Sequence, residues 1–141
     1  MMKAAVIYWS GTGNTEAMAN AVAEGMKSAG AEVCMFTPSD LDMSAVRSCS
    51  AVAFGCPAMG AEVLEESEFQ PMWDEIKSQL TGKKVALFGS YGWGDGEWMR
   101  SWESDCSDSG VSLSAESVMA NNAPDDAAIA SCKALGAKLA G

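Results

Sequence analysis

Ser10-Gly11-Thr12-Gly13-Asn14-Thr15 follows directly on the apolar run Ala4–Trp9. These residue types suit one kind of chemistry, the holding of an anion by neutral donors. Glycines let successive backbone N–H groups converge, and a helix starting here adds positive partial charge at its N-terminus. Ser10, Thr12, Asn14 and Thr15 supply hydroxyl and amide donors, and the stretch holds no lysine or arginine. The P-loop spacing is absent because no lysine follows at the required place. The dinucleotide fingerprint fails because Glu16 stands where a third small residue belongs. An ordinary capped strand-to-helix turn uses the same residues, so these six residues alone leave phosphate binding and a plain turn both open.

Two further glycine-containing stretches, Cys56–Glu62 and Ser90–Glu97, could hold a ring. Met59, between Ala58 and Gly60, offers a polarisable contact to an aromatic system or else fills the core. Gly60 permits a peptide orientation that other residues resist. Trp93 lies between Gly92 and Gly94, with little neighbouring side chain to pack against. A tryptophan so placed is a plate for a ligand or partner, or a costly exposed surface. Trp73, Trp98 and Trp102 recur at helical spacing and are expected in the core.

The elements that must position these loops alternate along the chain. Strand-like runs occur at Ala4–Trp9, Glu32–Phe36, Ala51–Gly55 and Val85–Phe88, and the alternating Val111–Ala115 reads as a less buried outer strand. Helical stripes fill the gaps. Met18, Val22 and Met26 form one, stopped by Gly30. Phe69, Met72, Trp73, Ile76 and Leu80 form another. Trp98, Met99, Trp102 and Cys106 follow Asp95, and Ile129, Cys132, Leu135 and Leu139 follow Pro124-Asp125-Asp126. Leu41–Arg47 allows only a short helix. Such alternation means an α/β fold: a parallel sheet with right-handed crossovers and helices on both faces. Ligands then sit beyond the carboxyl ends of the strands, where all three loops fall.

The 141 residues suit one domain spanning 1–141. Nine basic against nineteen acidic residues give a net charge of −10 without histidine. That charge disfavours nucleic acid and anionic membranes and favours basic protein partners. No apolar run approaches membrane-spanning length, and the start carries no cleavage-site pattern. Five scattered cysteines without a Cys-x-x-Cys pair read as reduced, buried thiols of a cytoplasmic protein, and argue against zinc or iron–sulfur sites. Without histidine there is no Ser-His-Asp or Cys-His machinery; the chemistry must be borrowed.

Taken in order, Ser-Gly-Thr-Gly-Asn-Thr after the first strand, Ala-Met-Gly-Ala-Glu after the third and Gly-Ser-Tyr-Gly-Trp-Gly-Asp-Gly after the fourth resemble a flavodoxin of the short-chain type. The resemblance spans nearly the whole chain, including Asn122-Ala123-Pro124-Asp125. It implies a flavodoxin-like three-layer sandwich with a five-stranded parallel sheet of order 2-1-3-4-5, and non-covalent FMN. Ser10, Gly11, Thr12, Gly13, Asn14 and Thr15 would cradle the phosphate. Pro57, Ala58 and Ser90 would lie along the ribityl chain, approached by Asn122. Met59 and Trp93 would sandwich the isoalloxazine, and Glu62 would accept from its N3–H. Amides of Gly92 and Gly94, flanking Trp93 and following Tyr91, would reach the pyrimidine edge.

The resemblance also implies that the peptide after Gly60 flips on reduction, its carbonyl accepting from N5–H and favouring the neutral semiquinone. Should that turn put Ala61 at positive φ, Ala61→Gly is expected to stabilise that state. Glu62, Asp95 and Glu97 would oppose the fully reduced anion. With no lysine or arginine in the three loops, a few such carboxylates lower a potential by on the order of 100 mV. The expectation is a monomeric, low-potential one-electron carrier between redox partners with basic docking surfaces, not an enzyme. The alternative is an FMN-dependent reductase of a quinone-type acceptor, or a flavin domain detached from a larger reductase. A receiver domain would want acids where Trp9-Ser10 and Cys56-Pro57 stand.

Overall fold

A computed structural model describes residues 2–141. Five parallel strands, β1 (Lys3–Tyr8), β2 (Glu32–Phe36), β3 (Ala51–Gly55), β4 (Lys84–Tyr91) and β5 (Val118–Asn121), form one sheet in the order β2-β1-β3-β4-β5. Helices α1 (Asn14–Ser28), α2 (Met43–Arg47), α3 (Phe69–Ile76), α4 (Glu97–Asp108) and α5 (Asp126–Ala140) connect and follow them. Short 3-10 turns precede α2 at Pro38–Asp40 and extend α3 at Lys77–Gln79.

The inner strands β1, β3 and β4 are covered on both faces and alternate between two cores. Ala4, Val6, Ala51, Ala53 and Ala86 pack under Met18, Val22 and Met26 of α1 and Cys132, Leu135 and Leu139 of α5. Ala5, Ile7, Val52, Phe54, Val85 and Leu87 face Phe69, Trp73 and Ile76 of α3 and Trp98 and Trp102 of α4. Alanines beneath α1 and α5 let two long helices lie close to the strands. Three tryptophans fill the wider layer opposite. Trp73 meets Phe54 and Trp102 edge to face at 5.0 and 5.6 Å, the geometry favoured by ring quadrupoles.

The outer strand differs from its expected place. Val111–Ala115 is not the fifth strand; only Leu113 makes an isolated bridge, to Val85. The sheet closes instead with β5, paired with β4 from Phe88↔Val118 to Tyr91↔Asn121. That pairing needs β4 to run through Gly89 and Ser90, three residues past the apolar run, which carries the strand into the candidate site. Helix α4 is entered through Gly96 in the left-handed region, with no side-chain cap. In α5, Asp125 is the N-cap, accepting from the Ala128 N–H at 2.8 Å.

Pairing continues beyond the strand ends. Trp9 N–H donates to Gly55 O at 3.0 Å, Ala58 N–H to Ser90 O at 3.0 Å, and Asn122 N–H to Tyr91 O at 2.7 Å. The loops leaving β1, β3, β4 and β5 are thereby stitched to one another at the sheet's carboxyl edge.

Candidate functional site

A cavity of about 220 Å³ opens at that edge. The first loop contributes Ser10, Gly11, Thr12, Asn14 and Thr15, the second Pro57, Ala58 and Met59, and the third Ser90, Tyr91 and Gly92. Trp9 and Asn122 complete the wall. From the sequence Trp9 reads only as the end of a strand; its position directly before the glycine-rich turn is the signal that marks it. The remaining expected site residues, Gly13, Gly60, Ala61, Glu62, Trp93 and Gly94, do not line this cavity.

The first loop is shaped by its own hydroxyls. Gly13 caps α1 with φ 97°, a backbone region that glycine enters without steric cost. Ser10 Oγ accepts from the N–H of Gly13 at 3.1 Å and of Glu16 at 3.2 Å. Thr15 and Ser90, both buried, share a hydroxyl–hydroxyl bond of 3.1 Å that ties the first loop to the third.

The second loop is closed by reciprocal bonds between Met59 and Val63, 2.8 Å from the Met59 N–H and 3.0 Å from the Val63 N–H. Of the residues between them, Gly60 (φ 50°) and Glu62 (φ 56°) take the left-handed region, and Ala61 does not. The condition set for Ala61→Gly is therefore unmet in this turn, and any strain sits at Glu62. The Glu62 carboxylate lies directly over Gly94 (φ 88°), where any Cβ would collide with it. Its Oε1 is buried without a partner. Trp98 fixes the same loop from below, its indole N–H donating to Cys56 O at 3.0 Å.

Trp93 is 66% exposed and Met59 37%, so neither fills the core. Trp73, Trp98 and Trp102 are buried as expected. Val63 and Met119 are the other large exposed apolar residues among those described.

Two charged residues that the sequence had not singled out act on these loops. Arg100 of α4 folds back to Asp95, donating to its carbonyl at 3.1 Å and its carboxylate at 2.9 Å. The carboxylates around the third loop are thus not without a counter-charge. Glu65, 6% exposed, accepts from the N–H groups of Ser67, Glu68 and Phe69 at 2.9, 2.7 and 2.8 Å and from the Ser67 hydroxyl. Burial pushes its carboxyl up, but those donors outweigh burial and hold it down at about 2. Glu65 thereby anchors the start of α3 and the far end of the second loop.

Cys49, Cys56, Cys106 and Cys132 are buried and Cys34 is exposed, all free. Burial pushes the thiols of Cys56, Cys106 and Cys132 up to about 12, so none is a nucleophile near neutral pH. No helix is long and apolar enough to cross a membrane among the described residues.

A doubly wound sheet with neutral donors at the mouth of its first helix, and exposed sulfur and indole plates on the neighbouring loops, defines an α/β protein with a cofactor site at its topological switch point. The family model for flavodoxin matches residues 6–136. The chain is 46% identical over 131 residues to a flavodoxin of Megasphaera elsdenii, covering 93% of each chain. It is 47% identical over 122 residues to one of Clostridium beijerinckii, covering 86% of this chain and 88% of that protein. The solution structure of two-electron reduced Megasphaera elsdenii flavodoxin superposes with a TM-score of 0.88 at 44% identity, covering 97% of this chain and 98% of the other. The chain belongs to the flavodoxin family: FMN-binding proteins that carry electrons between partner proteins rather than turning over a substrate.

Proposed function

We propose that the cavity of about 220 Å³ takes the phosphate and ribityl chain of FMN, with the ring held at the rim above it. What supports this is one observation: three loops from separate strand ends converge there, and the lining holds hydroxyls, amides and backbone but no cation. The amides of Gly11, Thr12, Asn14 and Thr15 and the hydroxyls of Ser10, Thr12 and Thr15 hold the phosphate, while Gly13 turns the loop, its N–H given to Ser10 Oγ. Pro57, Ala58, Ser90 and Asn122 line the ribityl chain. Met59 and Trp93, too exposed to serve the core, cover the two ring faces. Glu62 accepts from the ring's N3–H, and the amides of Gly92 and Gly94 meet the pyrimidine edge beside Tyr91. The peptide after Gly60 would hinge to offer the Gly60 carbonyl to the ring's N5–H.

FMN, when bound, supplies the one-electron chemistry. The chain's part is to exclude water from the ring faces and set the surrounding charge. Glu62 and Glu97, with Asp95 paired to Arg100, keep the potential low by opposing added negative charge. The exposed Met59, Val63, Trp93 and Met119, on a chain of net charge −10, suit brief docking of a basic redox partner onto a monomer. The free buried thiols suit the cytoplasm, and residues 1–141 act as one flavin-binding domain. A potentiometric titration tests this: two separate one-electron steps are expected, and a single two-electron step would overturn it.

A further inference from the structure

Two buried polar side-chain atoms lack a hydrogen-bond partner among the described residues, Glu62 Oε1 and Trp102 Nε1. Both residues line the same cavity, about 200 Å³ between α3 and α4, which shares no lining residue with the three-loop cavity. One atom can only accept and the other can only donate, yet they do not bond to each other. Either atom left buried and unpaired is costly. The indole cannot turn away to find another partner. Trp102 is 2% exposed and wedged edge to face against Phe69 at 5.4 Å and Trp73 at 5.6 Å.

What the cavity can hold follows from its walls. Asp74 and Asp105, at one side, are already paired with Lys77 at 3.6 and 3.0 Å. Gln70 and Ser101 add further donors and acceptors. A cation would suit Glu62 but not the indole N–H; water suits both. Roomy polar cavities offering two to four partners are where proteins keep ordered water. We propose that water in the α3/α4 cavity bridges the Trp102 indole N–H to the Glu62 carboxylate, making Trp102 a positioning residue for flavin recognition.

The bridge accepts from Trp102 and donates to Oε1. It holds the carboxylate over Gly94 and leaves the second oxygen for the ring's N3–H; in this it rests on the assignment of Glu62 made above. A core indole on α4 thereby orients a carboxylate on the second loop, without touching the cofactor.

Two measurements on the FMN-loaded protein test it. A crystal structure is expected to show water within hydrogen-bond distance of both atoms; an empty cavity, or water that meets only one of them, overturns the bridge. Affinities for FMN and for riboflavin are then compared in Trp102→Phe, Glu62→Ala and the double variant. Trp102→Phe is expected to loosen both ligands about fivefold in the native background and to have little effect beside Glu62→Ala. Equal loosening in both backgrounds means that Trp102 is structural only, and overturns the proposal. Unchanged affinity in Glu62→Ala would sink the ring assignment instead, and the crystal structure would still decide the water bridge. Should Trp102→Phe fail to fold, that structure decides alone.

Discussion

Glu65→Gln removes the charge from a carboxylate that gathers three backbone N–H groups and one hydroxyl at the start of α3. A glutamine keeps one acceptor oxygen and turns an NH₂ toward donors that need acceptors. The native carboxyl is lowered from 4.5 to about 2. At 1.36 kcal/mol per pH unit, that shift corresponds to about 3 kcal/mol of folding stability at neutral pH, reduced by solvent screening near the surface to about 1–3 kcal/mol. A depressed pKa stabilises fully above the unfolded value, near 4.5, and the contribution is lost as pH falls through about 2. Urea unfolding of the FMN-free protein, which avoids linkage to the cofactor, is the assay. Glu65→Gln is expected to cost about 1–3 kcal/mol at pH 7, with the gap to the native protein closing between pH 4.5 and 2. A gap independent of pH, or none at pH 7, would refute the link between those hydrogen bonds and stability.

Other substitutions separate the roles of neighbouring residues. Gly94→Ala, at φ 88° and against the Glu62 carboxylate, is expected to loosen FMN by about tenfold by calorimetry, since an alanine is strained at that φ and its Cβ must push the Glu62 carboxylate aside. Arg100→Gln leaves Asp95 unpaired and is expected to lower the flavin potential at low salt, the difference shrinking as salt is raised; a salt-independent shift would argue against a charge effect. Ala61→Gly, at a residue outside the left-handed region, is expected to destabilise the apoprotein by up to about 1 kcal/mol through unfolded-state entropy, as chemical denaturation would show.

A doubly covered parallel sheet and the convergence of its loops were legible because continuous apolar runs at β1 and β3 are what such a sheet requires; the strand order was implied only by the resemblance of the three loops to a flavodoxin. The fifth strand was not legible. Val118-Met119-Ala120-Asn121 is a short run of three apolar residues without alternation, and as an edge strand it buries only Ala120. Its place is set by pairing with β4, whereas Val111–Ala115 has the better pattern and only one bridge. The exposure of Trp93 was legible because its glycine neighbours deprive it of core partners, whereas Met59 could be read as core or as surface until the turn placed it. Glu65 was not legible, because within Glu62–Glu68 it reads as one of several solvated acids, and only the turn into α3 buries it. Arg100 was hidden in the same way: it lies on α4 beyond the third loop, and only the turn at Gly96 brings it back to Asp95.

The central claim is that a site without cationic side chains holds the cofactor's phosphate in a chain of net charge −10. Dissociation constants for FMN and riboflavin, measured across ionic strength at fixed pH, test it most directly. Salt screens repulsion between like charges, so FMN binding is expected to hold constant or tighten as salt rises, with riboflavin unaffected and weaker throughout. FMN binding that weakens steeply with salt while riboflavin does not would mean that a lysine or arginine grips the phosphate, and would contradict the account.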